Sequence, residues 1–183
     1  MLRILDLFFS TMGIVLGLPI FILIFFIGLF DTGSPVFMQV RVGKNQKPFT
    51  LIKFRTMKTS TESVATHLAQ ESAVTPLGKF LRKSKLDELP QLLNVLKGEM
   101  SLVGPRPGLY NHEELTYARE EKGVFTVRPG ITGLSQVSEI DMSTPSLLAE
   151  TDAKMISAMS VRNYFKYIFM TVSGKGSGDR IKS

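Results

Sequence analysis

The chain has 183 residues and a formal net charge of +6, with 22 lysines and arginines against 16 acidic residues. This length suits one domain with a hydrophobic core, and the positive charge favours anionic partners. The sequence contains no cysteine and only two histidines, which excludes a disulfide framework and a thiolate nucleophile and argues against a zinc centre. A bound metal would therefore have oxygen ligands, which points to Mg²⁺.

The N-terminal segment is apolar enough to enter a membrane. No charged side chain occurs in residues 7–30, and as one helix this run would be about 36 Å long, more than the ~30 Å hydrocarbon core of a bilayer. A cleaved signal peptide fits poorly, because the run is too long and no small-x-small site follows it. We expect residues 1–33 to form a membrane helix and residues 34–183 to form the domain that follows it.

Pro19 lies in the middle of the apolar run and should divide it into two arms, each reaching about half the bilayer depth. Two topologies follow: a kinked single span with its N-terminus outside, or a re-entrant helix-break-helix that returns to its own side. Arg41, Lys44 and Lys47 place the following domain on the cytoplasmic side, whereas only Arg3 and the amino terminus precede the run. These charges leave both topologies open.

Two β-rich runs, 36–42 and 49–56, flank a Gly-Lys-Asn-Gln-Lys-Pro turn and predict a hairpin with a basic turn. The two-residue period of a strand puts Lys53 and Arg55 on the same face. That face is either a cationic site or the solvated side of an edge strand, where lysine discourages aggregation.

Residues 58–74 are rich in serine, threonine and alanine and predict a mobile connection. Thr75 and Pro76 then provide an N-cap and a first-turn proline for a short basic, amphipathic helix. This helix should deliver Arg82 next to an acidic pair.

That acidic pair, Asp87 and Glu88, precedes an apolar helix whose start has two interpretations. Ser84 could be the N-cap of a capping box, with Asp87 serving only the helix start. Pro90 would then lie inside the helix, at a cost of about 3 kcal/mol, whereas Asp87 as N-cap leaves the proline in the first turn. At the positive end of the helix dipole, Asp87 would stay ionised as a nucleophile or metal ligand, although simple capping has the same sequence.

The apolar helix is expected to end at Gly98 and to bury Leu89, Leu92, Leu93, Val95 and Leu96. Beyond it, Pro105 and Pro107 restrict the backbone on both sides of Arg106. A stiff loop of this kind suits bidentate phosphate recognition by the guanidinium group, while an exposed arginine in a surface turn is the alternative.

The rest of the chain carries weaker signals. Residues 111–122 predict a charged surface helix without chemistry, and Arg128 precedes a proline in a glycine-bearing loop that lets backbone amides approach a ligand. Residues 153–172 predict one amphipathic helix, lying either in the lipid headgroup region or against the core. Residues 174–183 predict a flexible tail.

Taken together, the motifs are specific. In chain order the sequence contains Arg-Ile-Leu-Asp at 3–6, Lys-Phe-Arg-Thr-Met at 53–57, Leu-Asp-Glu-Leu-Pro-Gln at 86–91, Gly-Pro-Arg-Pro at 104–107, Arg-Pro-Gly-Ile-Thr-Gly at 128–133 and Gln136. This series resembles the bacterial sugar transferases, the small monotopic polyprenyl-phosphate phosphoglycosyl transferases. The resemblance covers nearly the whole chain.

The resemblance implies an α+β, mostly helical fold with a re-entrant membrane helix broken at Pro19, a small β-hairpin and amphipathic interfacial helices. Residues 34–183 would be a catalytic domain at the cytoplasmic face of the bacterial inner membrane. The implied reaction moves a sugar phosphate from a UDP-sugar to polyprenyl (undecaprenyl) phosphate with Mg²⁺ and releases UMP. Membrane lipid is a further expected partner and nucleic acid is not.

The resemblance also implies roles for single residues. Asp87 would be the nucleophile, forming a phosphosugar-aspartate, and would also bind the metal, with Glu88 as its catalytic dyad partner. Repulsion between a carboxylate and a diphosphate calls for neutralising cations. The substrate-binding candidates are Lys53, Arg55, Arg82, Arg106, Arg128 and Gln136.

Two features depart from the family pattern. Leu18-Pro19 replaces the common Ser-Pro at the membrane break, and Ser-Glu-Ile at 138–140 replaces Asn-Gly-Arg after Gln136. A polyprenyl-diphosphate hydrolase and a membrane-anchored lipid-phosphate binding protein are the rival functions. The sequence names neither the sugar nor the glycan pathway, and it is compatible with a homo-oligomer.

Overall fold

The computed structural model describes residues 1–61 and 71–176. Its helices are α1 (Leu2–Thr32), α2 (Pro76–Ser84), α3 (Gln91–Lys97), α4 (Glu113–Glu121), α5 (Leu134–Val137), α6 (Pro145–Ser157) and α7 (Val161–Val172). Its strands are β1 (Val36–Val42), β2 (Pro48–Phe54), β3 (Ser101–Val103) and β4 (Gly130–Thr132). The expected mostly helical α+β fold is confirmed. Parts of the predicted connection at 58–74 and of the predicted tail at 174–183 lie outside the described residues.

Strands β1 and β2 form the predicted antiparallel hairpin, with Val36 opposite Phe54 and a 3₁₀ turn, Lys44–Gln46, at its tip. One face of the hairpin buries Phe49 and Leu51. These side chains pack against Val95 of α3 and Met100, which are completely buried. The hairpin is therefore anchored to α3 through a small apolar core.

A second pair of strands, β3 and β4, is parallel and was not predicted. Ser101 lies opposite Gly130 and Val103 opposite Thr132. A Cβ atom on Gly130 would overlap the backbone nitrogen of Gly104, so the close approach requires glycine at position 130. The pair brings the segment that follows β3 alongside the segment that precedes β4.

Helix α3 differs in part from the expected pattern. It ends at Gly98 in the left-handed conformation, as predicted, and Leu92 and Val95 are buried, but Leu93 is 40% exposed. Asn94 is buried in its place. The Asn94 side chain accepts a hydrogen bond from Ile52 N (3.1 Å) and donates one to Thr50 O (2.7 Å), so it satisfies the backbone of β2.

The prediction of a single helix at 153–172 is wrong. The chain forms two helices, α6 and α7, because Ser160 has an extended backbone and its hydroxyl caps α7 by accepting from Asn163 N at 3.2 Å. Met155 of α6 and Tyr164 and Tyr167 of α7 are buried together with Val103 of β3. The two helices thus pack on the parallel strand pair.

Helix α1 is long and apolar enough to cross a membrane. It is one continuous helix with Pro19 inside it, where the sequence predicted two helices separated by a break. The apolar turns on both sides keep helical geometry despite the missing proline N–H. The helix ends at Gly33, whose left-handed conformation directs its N–H to Leu29 O.

Both ends of α1 contact the rest of the protein. Asp6 and Ser10 are buried near the start, and Ile24 and Gly28 are buried near the end. Within the described structure, none of residues 11–23 is buried. Gly13 lies close to Leu92 of α3, so the middle of α1 keeps one side against the domain and exposes the other.

Asp6 makes the main polar anchor at the start of α1. Its carboxylate accepts hydrogen bonds from Ser101 Oγ (3.0 Å), Leu102 N (3.0 Å) and the Tyr164 hydroxyl (2.9 Å). Burial, and then the neighbouring Asp6 carboxylate, raise the pKa of the Tyr164 phenol, which therefore stays protonated as a donor. This cluster joins α1 to β3 and α7.

Tyr164→Phe should lower the stability of the domain by about 1–2 kcal/mol, because the buried Asp6 carboxylate loses one of its donors. Thermal denaturation of the protein in lipid nanodiscs measures this loss. Tyr167→Phe is the matched control, since the Tyr167 hydroxyl makes no hydrogen bond within residues 1–61 and 71–176. Equal losses for the two variants would contradict the role assigned to Asp6.

Candidate active site

The acidic pair lies in a tight turn between α2 and α3. Helix α2 ends at Ser84, and Lys85 then adopts the left-handed conformation (φ 58°), which is uncommon for a residue with a side chain. A 3₁₀ turn, Leu86–Glu88, follows directly. Asp87 in this turn is buried, with 7% of its surface exposed.

Neither predicted helix start is correct. Helix α3 begins at Gln91 and no side chain caps it, so Asp87 is not its N-cap. The hydroxyl of Ser84 donates to Phe80 O (2.9 Å) within α2, which excludes the capping box as well. Lys85 ends α2 by reversing the chain, and Pro90 lacks the N–H needed to extend α3 backwards.

An ion pair connects the acidic turn to the Pro-Arg-Pro segment. Nη1 of Arg106 lies 3.0 Å from Oε1 of Glu88, and both side chains are largely buried. Partial burial strengthens such a pair relative to one on an open surface. The structure thus brings Arg106 to the carboxylate pair, and phosphate binding by its guanidinium group stays a prediction.

Two other predicted cations lie on elements that border the turn. Strand β2, which carries Lys53, and helix α2, which carries Arg82, both contact residues 86–88. The Lys53 side chain is only 9% exposed, and its Nζ lies 5.4 Å from the centre of the Phe37 ring. Nε of Arg82 donates to Thr56 Oγ1 at 2.8 Å, which holds its guanidinium group in place.

Lys85 is a further cation of this site that sequence reasoning missed. Burial lowers the pKa of its ammonium group; Glu88 opposes this shift and Arg106 adds to it, so all three charges interact. Nζ of Lys85 donates to Lys175 O at 2.7 Å, which brings the C-terminal segment to the same turn. The sequence feature that could have assigned Lys85 to the site was its position two residues before Asp87.

Arg55 and Arg128 have structural partners that the sequence did not reveal. The Arg55 guanidinium donates to Ser34 O (2.7 Å) and ties the end of α1 to the hairpin, and its Cζ lies 5.4 Å from the centre of the Phe37 ring. Lys53 and Arg55 do share one face, as predicted. Nε of Arg128 donates to Gly98 O (2.7 Å) at the C-terminal end of α3. Substrate binding by these two arginines stays a prediction.

Gln136 contacts the Pro-Arg-Pro segment on a different side from Glu88. Its Nε2 donates to Gly104 O at 3.4 Å, and its Oε1 is buried without a hydrogen-bond partner in the part of the chain that the structure describes. The amide is therefore positioned beside the segment that carries Arg106. Substrate binding by Gln136 stays a prediction.

Arg119 was assigned to a surface helix, but it is buried. Its guanidinium binds Asp152 Oδ2 through Nε (3.0 Å) and Nη2 (2.7 Å), and its Nη1 donates to the carbonyl of Arg106 at 2.8 Å. The one sequence signal was its spacing of four residues from Leu115, the apolar position that α4 buries.

The donor set fits Mg²⁺ only together with a substrate. Among the described residues there is no group of three or more Asp, Glu or His side chains that could hold a metal ion alone. Magnesium is commonly bound through one or two carboxylates plus substrate phosphates and water. Asp87 and Glu88 meet that requirement, with Glu88 already sharing its charge with Arg106.

Comparison with known proteins identifies relatives of this chain. A family model described as "Bacterial sugar transferase" matches residues 1–175. The chain is 51% identical over 107 residues to an uncharacterised sugar transferase, EpsL, of Bacillus subtilis (strain 168), covering 58% of this chain and 52% of that protein.

Two further relatives have names that describe substrates. A UDP-glucose:undecaprenyl-phosphate glucose-1-phosphate transferase of Caulobacter vibrioides is 41% identical over 140 residues, which are 74% of this chain and 52% of that protein. The galactosyl transferase CpsE of Streptococcus agalactiae serotype III is 36% identical over 156 residues, 78% of this chain and 34% of that protein. The chain thus spans about half or less of these curated relatives. Because the family model covers almost the whole sequence, the chain belongs to the bacterial sugar transferase family.

Proposed function

We propose that this chain transfers a sugar phosphate from a UDP-sugar to polyprenyl phosphate, releasing UMP, at the cytoplasmic face of the bacterial inner membrane. The observation that carries the proposal is the buried Asp87 beside the Glu88–Arg106 ion pair, in a protein whose positive groups gather around that turn. Relatives named for UDP-glucose and undecaprenyl phosphate support the two substrate classes.

The chemistry would proceed in two displacements. A carboxylate oxygen of Asp87 attacks the phosphorus that carries the sugar, a P–O bond forms, and the P–O bond to UMP breaks. An oxygen of polyprenyl phosphate then attacks the same phosphorus, and Asp87 leaves as a carboxylate. No proton is gained or lost in either step, because the acceptor phosphate is already ionised near pH 7, so no strong general base is required.

Asp87 is the better candidate for the nucleophile because Glu88 is committed to Arg106. That ion pair fixes Glu88 beside Asp87 and orients the guanidinium group towards the place where the diphosphate must lie. Lys85, Lys53 and Arg82 add positive charge around the same turn. Fixed cations lower the barrier because they reduce the repulsion between an anionic nucleophile and an anionic substrate.

Asp87 and Glu88 would hold Mg²⁺ together with the substrate phosphates. Magnesium supplies charge neutralisation on the transferring phosphoryl group. The protein's own part is to keep the carboxylates adjacent through the 3₁₀ turn and to limit the access of water to Asp87, which is 7% exposed.

We further propose that α1 is re-entrant. If straight, a helix of 31 residues would extend about 46 Å, and a membrane span would carry its two ends to opposite sides. Here both ends contact one domain: Asp6 bonds to Ser101 near the start, and the Thr75 hydroxyl donates to Asp31 (2.7 Å) near the end. The exposed side of α1 around Pro19 would enter the membrane and return.

Two other helices present apolar surface next to basic residues. On α7, Phe169 is 73% exposed and Phe165 is 41% exposed, with Arg162 and Lys166 on the same helix. Phe80 on α2 is 60% exposed and is flanked by basic residues. Aromatic side chains and basic groups on one helix suit the headgroup region of a bilayer, so these helices would hold the domain at the membrane surface.

Asp87→Asn should reduce UMP release by at least about a thousandfold, because the amide cannot act as the nucleophile. The assay combines purified protein, Mg²⁺, polyprenyl phosphate and a panel of UDP-sugars, followed by mass spectrometry for a phosphosugar adduct on Asp87. Glu88→Gln is the matched control: it should retain the adduct but change the rate and the metal dependence. Release that survives Asp87→Asn would refute the nucleophile assignment.

The same assay separates the rival functions. A polyprenyl-diphosphate hydrolase would release inorganic phosphate from the lipid, and a lipid-phosphate binding protein would release neither product. The donor that gives UMP also identifies the sugar.

Cysteine labelling should show both ends of α1 on the cytoplasmic side. The chain has no cysteine, so Ile4→Cys and Lys44→Cys each introduce a unique thiol at an exposed position. A membrane-impermeant maleimide should label neither variant in intact spheroplasts and both after lysis. Labelling of Ile4→Cys in intact spheroplasts would show that α1 spans the membrane.

A further inference from the structure

The Pro-Arg-Pro segment and the glycines beside it form a loop, residues 104–108, in which every carbonyl accepts a hydrogen bond from another part of the chain. The five bonds, in order from Gly104 O to Gly108 O, come from Gln136 Nε2 (3.4 Å), Gly130 N (2.8 Å), Arg119 Nη1 (2.8 Å), Arg41 Nη1 (3.2 Å) and Val42 N (3.0 Å). The loop is thus held by α5, β4, α4 and β1.

External donors are needed because of the loop's composition. Pro105 and Pro107 have no N–H, so the loop cannot form the regular backbone bonds of a helix or strand. Buried carbonyls without partners would be costly. Among the donors, Arg119 is the one that binds the carbonyl of Arg106 itself, the residue whose side chain reaches Glu88.

Arg119 is held rigidly in this position. It is 2% exposed, and two of its nitrogens bind Asp152 Oδ2, while Asp152 Oδ1 accepts from Ser135 Oγ at 2.6 Å. Asp152 and Ser135 are 0% and 1% exposed. Arginine can do this because its planar fork carries several donors at fixed angles, whereas an ammonium group is a single point charge.

We infer that Arg119, fixed by Asp152 and Ser135, is a positioning residue that sets the backbone at Arg106 and thereby the Arg106–Glu88 pair beside Asp87. The kinetic part of this inference rests on the proposed transferase function. A buried ion pair by itself is weak evidence of a gain in stability, because its desolvation offsets much of its attraction. A positioning role explains why the third guanidinium nitrogen, Nη1, donates to the Arg106 carbonyl.

The test is a double-mutant cycle on kcat for UMP release. Arg119→Met combined with Asp152→Asn removes the ion pair without leaving a buried unpaired charge. In the wild-type background this pair of changes should lower kcat by about tenfold or more, since a small misplacement of a binding group is costly. In an Arg106→Ala background it should lower kcat by less than about twofold, because no side chain remains to be positioned. An equal fold-decrease of kcat in the wild-type and Arg106→Ala backgrounds would overturn the inference.

Hydrogen–deuterium exchange in nanodiscs gives a readout that needs no activity. The paired change should speed exchange at least about fivefold in a peptide covering residues 104–109 and leave α2 and α7 unchanged. Unchanged exchange at 104–109 would contradict the positioning role. Tyr164→Phe is the control for lost stability alone: it should keep kcat, and any faster exchange that it causes should be spread over the domain rather than confined to residues 104–109.

The two proposals can fail separately. A wild-type protein that releases no UMP from any donor refutes the transferase function, and the exchange measurement then still decides the role of Arg119. If the wild type is active but the paired change lowers kcat by the same factor with and without Arg106, the role of Arg119 is refuted and the transferase function stays in place.

Discussion

The ion pair between Arg106 and Glu88 is the interaction on which the rest of the site depends. It joins two segments 18 residues apart in the chain, the acidic turn after α2 and the proline-bounded loop after β3. Without the loop, Glu88 would be an acidic side chain beside a second carboxylate, and the two charges would repel each other. With the loop in place, the Glu88 carboxylate is paired with Arg106, and the Asp87 carboxylate lies buried in the same turn.

The architecture outside the site serves largely to place these two segments. The parallel pair β3–β4 carries the chain into and out of residues 104–108, and the contact between Gly104 and Gly130 allows the two strands to approach closely. Helix α4 supplies Arg119 and α5 supplies Gln136 to the same loop. Elements outside the acidic turn and the loop therefore determine the geometry of both.

The attachment of α1 joins the long apolar helix to the elements that carry the site. Its first turns are joined by Asp6 to β3, the strand that leads to Arg106, and its last turns are joined by Asp31 to Thr75 at the start of α2, the helix that leads to Asp87. A membrane helix fixed at both ends to the elements that carry the site would hold that site at one depth relative to the bilayer. This arrangement suits the proposed reaction between a soluble nucleotide sugar and a phosphate on a lipid.

The sequence by itself determined the features that depend on local chemistry: the apolar N-terminal helix, the hairpin, the N-cap at Thr75, the stop at Gly98 and the acidic pair followed by a stiffened arginine. Tertiary structure decided the helix ends and the partners of charged side chains, which the periodicity and spacing of the sequence do not reveal. The start of α3 depended on the reversal at Lys85, and the division at Ser160 depended on one serine cap within a continuous amphipathic pattern. The burial of Arg119 depended on Asp152, 33 residues away, because a charged side chain is buried only where the fold brings it a partner. Likewise Arg55 and Arg128 have the same charge as Arg106 in the sequence, but only the folded chain shows which backbone or carboxylate oxygen each guanidinium group meets.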